Sequence, residues 1–339
     1  MVLLDLLINL LILLGFFAVL AKSAHVMITN SVKVSEVTGL AKTAVGFILI
    51  AFSTSLPELA VALIALVMGG DRIDVSAGNL LGANIVNVCV IIGVSTLLLL
   101  LRTSKNINLV SSVAKEELSS LYLGLFIASV IPLSLMYVTY ASRYVGFFLI
   151  MVFIIYTYQL MRTRIPMNER TVTEEDKKRL NKYITWAFLG IIGVLISAYF
   201  IVESAVNIAR TIGLPEVLIG GVIIAVGTTL PELAASVRAF TQGHSTIALG
   251  NISGSCFVNI TLIFGILLLG APFGVNMATE EGRVFFRLAL FSIIANLFLW
   301  YFLTNGKIGW KEGGVLLFIY LLFLATTLGV LQPLGEIGS

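Results

Sequence analysis

Ten apolar stretches, each long enough to cross a membrane, take up most of this 339-residue sequence: 3–21, 40–69, 76–101, 118–137, 144–161, 184–206, 214–240, 246–271, 284–303 and 313–331. A helix needs about 20 mostly apolar residues to span the hydrocarbon core. Lipid offers no partner for backbone N–H and C=O groups, so such stretches must pair them internally, as helices do. The sequence therefore predicts an all-α polytopic membrane protein with ten transmembrane helices. Composition agrees, with 58% hydrophobic and 12% charged residues where soluble domains carry about 25% charged. Mean hydropathy is +1.04, and no polar stretch is long enough to hide a soluble domain. There is no basic tail and no aromatic-basic interleaving, which excludes a nucleic-acid partner. The first stretch has the apolar core of a signal peptide, but Asp5 stands where a basic residue belongs, so it reads as the first helix.

The two halves resemble each other. "AFSTSLPELA" at 51–60 matches "AVGTTLPELA" at 225–234, and "GNLLGANIVNVCVIIG" at 78–93 matches "GNISGSCFVNITLIFG" at 250–265. Glu58 and Glu232 lie 174 residues apart, whereas Asn79 and Asn251, like Asn87 and Asn259, lie 172 apart. Two blocks in the same order with a nearly constant offset define an internal repeat. The blocks fall on spans 2 and 3, then on spans 7 and 8. Partners five spans apart cross the bilayer in opposite senses, so the reading is two inverted five-helix repeats. Their bounds are 1–161 and 184–339, with a linker at 162–183. Proteins built this way place ion and substrate sites near the midplane, on interrupted helices from both halves.

Charge sets the orientation. The odd-numbered loops carry 16 of the 21 Lys and Arg residues and the even-numbered loops carry 5. By the positive-inside rule the odd loops are cytoplasmic and both termini extracellular, in the cell membrane. The linker is then a solvated cytoplasmic connector. Lys22, Glu203 and Asp5 read as interfacial, with long side chains reaching the headgroups. Cys89 and Cys256 read as small buried hydrophobes, and His25 and His244 as interfacial polar residues.

Pro57 and Pro231 lack an N–H and disfavour helical geometry just before them. Each should break its helix and free backbone carbonyls next to "STS" (53–55) and "GTT" (227–229). Carbonyls, hydroxyls and a carboxylate make an oxygen cage suited to hard cations such as Ca²⁺ or Na⁺. A glutamate in mid-membrane is costly and marks function. Two carboxylates together need compensation to stay ionised, and one Ca²⁺, two or three Na⁺, or two protons would supply it. Competition for one pair of carboxylates is a basis for exchange. In the second blocks Gly78, Gly82, Gly250 and Gly254 would permit close helix approach. Asn87 and Asn259 are neutral oxygen donors, each sharing a helix face with the residue four before it, Ala83 or Ser255. Asn79 and Asn251 suit either the site or helix packing.

These motifs resemble the sodium/calcium exchanger family of the cation/calcium antiporter superfamily, prokaryotic type, through two copies of G-T-S-x-P-E and G-N-x-x-G-S-N-x-x-[ND]. The resemblance implies Ca²⁺/Na⁺ antiport by alternating access, with two gating helices sliding past a core bundle. It implies that Glu58 and Glu232 hold Ca²⁺ with Thr54 and Thr228. Flanking Na⁺ sites would use Ala51, Ser55, Ala225, Thr229 and Ser255, and Asn87 and Asn259 would line the centre. Three departures stand out: Ser53 replaces a glycine, Ala83 replaces a serine, and Asn259 replaces the aspartate of potassium-dependent relatives. A proton/calcium antiporter of the same fold is the alternative; its usual second glutamate in the G-N block is missing. A channel would gather its charges around a subunit axis, and no Asp-Asp, Ser-His or zinc-spaced His motif suggests an enzyme. The expected partners are Ca²⁺, Na⁺ and the lipid bilayer, with no cofactor and no obligatory protein partner.

Overall fold

The computed structural model describes residues 2–69, 72–103, 108–110, 113, 115–137, 143–162, 174–211, 225–272 and 280–327. These form twelve helical pieces. In chain order they are α1 (Val2–Thr38), α2 (Lys42–Thr54), α3 (Leu56–Met68), α4 (Arg72–Thr103), α5 (Lys115–Tyr137), α6 (Arg143–Arg162), α7 (Glu174–Thr211), α8 (Ala225–Thr228), α9 (Leu230–Thr241), α10 (Ser245–Gly270), α11 (Glu280–Thr304) and α12 (Trp310–Thr327). Among the described residues seven helices are long and apolar enough to cross a membrane, and the bent pair α2–α3 makes an eighth. The chain is a multi-pass membrane protein. Residues 214–224 of the seventh expected span and 328–331 of the tenth lie outside the described residues.

Two expected boundaries need correction. Residues 22–38, expected as a loop, continue α1 to Thr38. Their polar residues hide an amphipathic face: Ala24, Met27, Ile28, Ser31, Val32 and Ser35 are buried at the three-and-four spacing of a helix. Residues 174–183, expected in the linker, are the first turns of α7. The rest of the linker, 163–173, lies outside the described residues.

The two longest helices pack on each other. A Cβ on Gly190 would come within 2.6 Å of the Met27 backbone nitrogen, and one on Gly193 would run into Ser23. Near the other end Asn207 Nδ2 donates to Asn9 Oδ1 at 3.4 Å. Residue numbers rise in α1 as they fall in α7, so the pair is antiparallel. The apolar window of α1 is only 6% buried, against 83% for α10. All residues from Ser245 to Val258 are buried, so α10 is the central column.

Glycine brings α2 against that column. A Cβ on Gly46 would lie 2.5 Å from the Ile247 carbonyl, and one on Gly250 would lie 2.8 Å from the Thr43 carbonyl. Gly254 meets Phe47 and Ala51, so α2 and α10 run parallel. Gly78 and Gly82 do not act as expected: each faces only the Leu288 side chain, at 3.4 and 3.8 Å. Cys89 and Cys256 are buried and free, while Lys22, Asp5 and Glu203 are exposed.

Candidate ion-binding site

Both interrupted helices break one residue before their Leu-Pro-Glu. Ser55 (φ −83°, ψ 10°) and Thr229 (φ −91°, ψ 4°) leave helical geometry, and α2 and α3 meet at 45°. Pro57 and Pro231 fall in the first turn of the new half-helix, where a missing N–H costs nothing. Glu58 and Glu232 follow in that same first turn. The free N–H groups and the positive dipole end of a half-helix favour a carboxylate there.

The two carboxylates are electrostatic neighbours, and Glu58 and Glu232 are 1% and 0% exposed. Among the described residues no basic side chain acts on either. The hydroxyls around them cross between the halves. Ser55 Oγ donates to Glu232 Oε1 at 3.2 Å, and Thr54 also faces Glu232. From the other half Thr228 faces Glu58 as a polar neighbour, although neither buried Glu58 oxygen meets strict hydrogen-bond geometry with any of the described residues.

Wider helical turns flank the breaks. Gly46–Ala51, Val86–Ile91 and Asn259–Ile263 are π-helical, a geometry common at functional sites because it loosens the carbonyl ladder. Ala51 closes the first of these, and its carbonyl accepts from Thr54 Oγ1 at 3.3 Å. Thr229 keeps its hydroxyl on its own helix, at 2.9 Å from the Val226 carbonyl. Ala225 opens α8 two residues before Gly227.

The G-N blocks close the site. Asn87 and Asn259 fall in the second and third π-helical turns, both 1% exposed. Asn87 Oδ1, Asn259 Oδ1, Ser255 Oγ and Glu232 Oε2 are all buried and have no hydrogen-bond partner among the described residues. A buried polar atom left unpaired costs about 1–3 kcal/mol, a cost that a bound cation would lift. Ala83, where the repeat partner is Ser255, is buried and offers no oxygen. Asn251 is drawn into packing: its Nδ2 donates to Ser236 Oγ (2.8 Å) and to the Glu232 carbonyl (3.4 Å). Its Oδ1 lies 3.5 Å from Thr54 Oγ1. Asn79 leaves its Nδ2 unpaired.

Two residues were not singled out from sequence. Asn84 Nδ2 donates to the Cys256 carbonyl (3.3 Å) and Asn84 Oδ1 accepts from Asn259 Nδ2 (3.1 Å). It is the last asparagine of the G-N-x-x-G-x-N run, readable as such but overlooked because its repeat partner is Cys256. Arg238, six residues past Glu232, meets His25 on α1, with Gln242 2.8 Å from the same ring nitrogen. His25 thus ties α1 to α9 rather than facing the interface alone.

The two interrupted helices thus bury two carboxylates, with hydroxyl and amide oxygens nearby in the chain, inside a multi-pass helical bundle, a donor set that suits a hard cation. Comparison with known proteins gives it a family. The profile of the sodium/calcium exchanger protein family matches residues 8–162 and 182–329. The sodium/calcium exchanger MaX1 of Methanosarcina acetivorans is 31% identical over 94% of this chain and 97% of its own length. CaxA of Alkalimonas amylolytica is 35% identical over 70% of this chain and 73% of its own. Among solved structures, one of the sodium-calcium exchanger NCX_Mj superimposes with a TM-score of 0.78 at 22% identity, covering 95% of this chain and 99% of that one. That last likeness shows the fold. The chain belongs to the sodium/calcium exchanger family.

Proposed function

We propose that this protein is a secondary antiporter that exchanges Ca²⁺ for Na⁺ through one site shared by its two halves. One observation carries the reading. Glu58 and Glu232 are both buried and act on each other electrostatically, no basic side chain among the described residues acts on either, and Ser255, Asn87 and Asn259 carry buried oxygens with no hydrogen-bond partner among those residues. Desolvated carboxylates of like charge need positive charge supplied to them. Ca²⁺ neutralises both at once, with Thr54 and Thr228 completing its shell. Na⁺ ions do so from flanking positions, using Ser55, Thr229, Ser255 and the carbonyls near Ala51 and Ala225. Either cargo fills the site only when the other has left, and that competition couples the two fluxes.

The reading of ten spans in two inverted repeats draws support from helix directions. α1 and α7, the first and sixth spans, are antiparallel, whereas α2 and α10, the second and eighth, are parallel. Gly146 meets Leu268 while Ile150 meets Gly265, so the fifth and eighth spans oppose each other. Gly93 meets Leu317 while Thr96 meets Gly313, so the third and tenth do too. Alternate crossing produces these senses if 214–240 crosses once. Asn84 and Cys256, matched positions, also contact each other reciprocally: each side chain reaches the other's carbonyl.

Loop contacts support the orientation. Leu109 N donates to the Ile308 carbonyl at 2.9 Å and Asn108 Nδ2 to that of Gly306 at 2.6 Å, joining two odd loops. These belong to the side rich in Lys and Arg, which supports the reading that both termini lie outside the cell. Alternating access follows if the peripheral pair α1 and α7, packed through small residues, slides against the core around α10.

Radioactive Ca²⁺ uptake into proteoliposomes tests the function, with a Na⁺ gradient and a pH gradient imposed separately. Na⁺-driven uptake is expected. Uptake driven by pH alone would replace Na⁺ with H⁺ as the coupling ion.

A further inference from the structure

We infer that Asn84 is a positioning residue that fixes how the Asn259 amide presents itself to the cation, an inference that rests on the exchange reading above. The argument begins at an atom that can only accept. The Cys256 carbonyl oxygen takes a hydrogen bond from the Asn84 side chain at 3.3 Å. A carbonyl has no proton to give, so the Asn84 amide must turn its NH₂ toward it. Its Oδ1 is then the atom left for Asn259, 3.1 Å away. An oxygen accepts, so Asn259 must turn its own NH₂ toward Asn84. That leaves Asn259 Oδ1 on the opposite side, buried and without a hydrogen-bond partner.

The relay therefore selects the amide orientation a cation needs. An unrestrained asparagine offers a site either a carbonyl oxygen or an NH₂, and only the first is a ligand. Burial makes the selection firm, because Asn84 and Asn259 are 0% and 1% exposed.

The two halves differ here. The position matching Asn84 in the second half is Cys256, whose Sγ makes only a weak 3.9 Å contact to the Asn84 carbonyl. Asn87, the match of Asn259, has both amide atoms buried and unpartnered. The site thus pairs one pre-oriented amide with one that the bound ion must orient itself. With Ser255 unmatched at Ala83, the second half is the better prepared.

The test is Ca²⁺ exchange in proteoliposomes, reading half-saturating Ca²⁺ separately from maximal rate. Asn84→Ala should raise half-saturating Ca²⁺ by roughly five- to tenfold, the scale of one buried hydrogen bond, with maximal rate within about twofold. Asn84→Cys, which copies the matching residue of the second half, should behave alike and serves if the alanine variant does not fold. In an Asn259→Asp background the side chain has no NH₂ to orient, so adding Asn84→Ala should cost no further affinity. A merely structural Asn84 would lower affinity equally in both backgrounds. Unchanged half-saturation in Asn84→Ala, or equal losses in both backgrounds, overturns the inference. Wild-type protein that exchanges no Ca²⁺ at all would instead overturn the functional reading.

Discussion

Ser55 Oγ donates a 3.2 Å hydrogen bond to Glu232 Oε1 across 177 residues of sequence. The hydroxyl at the break of one interrupted helix thereby orients the carboxylate that follows the break of the other. Thr229, the match of Ser55, stays on its own helix, so only one of the two cross-bonds of this kind is made. Ser55→Ala should weaken cation binding by about 1 kcal/mol, roughly fivefold in half-saturating concentration. Thr229→Ala should leave the carboxylate geometry alone and cost less Ca²⁺ affinity. Concentration dependence of Ca²⁺ uptake by the two variants compares them directly.

Ala83 is buried where its repeat partner Ser255 carries an unpaired hydroxyl. Ala83→Ser would restore the hydroxyl oxygen that Ser255 carries at the matching position. Half-saturating Na⁺ for Ca²⁺ efflux should fall. An unchanged Na⁺ dependence would remove this position from the ion path.

Gly250 and Gly82 are both glycines of the G-N blocks, yet the structure separates them. A Cβ on Gly250 meets Thr43 backbone at 2.8 and 3.0 Å, whereas one on Gly82 meets a side chain at 3.8 Å. Gly250→Ala should therefore destabilise the protein by about 1–3 kcal/mol, as overpacking does. It should also weaken Ca²⁺ binding by parting Thr54 from Asn251. Gly82→Ala should be neutral or slightly stabilising, since alanine favours the helix by up to about 1 kcal/mol. Thermal unfolding in detergent distinguishes them.

Both native cysteines are buried, so single introduced cysteines can report membrane sidedness. A cysteine at Asn305, beside the joined odd loops, should react with impermeant maleimide only from the cytoplasmic side. One at Glu203, exposed near the outer end of α7, should react only from outside. The reverse pattern would invert the orientation.

What the sequence made legible was whatever obeys local rules. The breaks at Ser55 and Thr229 follow from the prolines two residues on, and the burial of Glu58 and Glu232 follows from their place in long apolar runs. The extension of α1 to Thr38 was hidden because a helix with one buried face has mixed composition and reads as a loop. Gly46 gave no sign of its importance, since close approach depends on which helix lies opposite. The Asn84–Asn259 contact joins residues 175 apart, and no periodicity encodes it. Nor does the repeat, because Cys256 breaks the match.

The most direct test of the central claim is Ca²⁺-dependent thermal stabilisation of the wild type beside Glu58→Gln and Glu232→Gln. Each substitution keeps the side chain's shape and removes one charge from a site that has two. The account predicts that both variants fold, as judged by their melting without Ca²⁺, and that both lose the Ca²⁺-induced rise seen in the wild type. A variant that keeps the full rise would show that its glutamate does not hold the ion, and the shared site would be wrong.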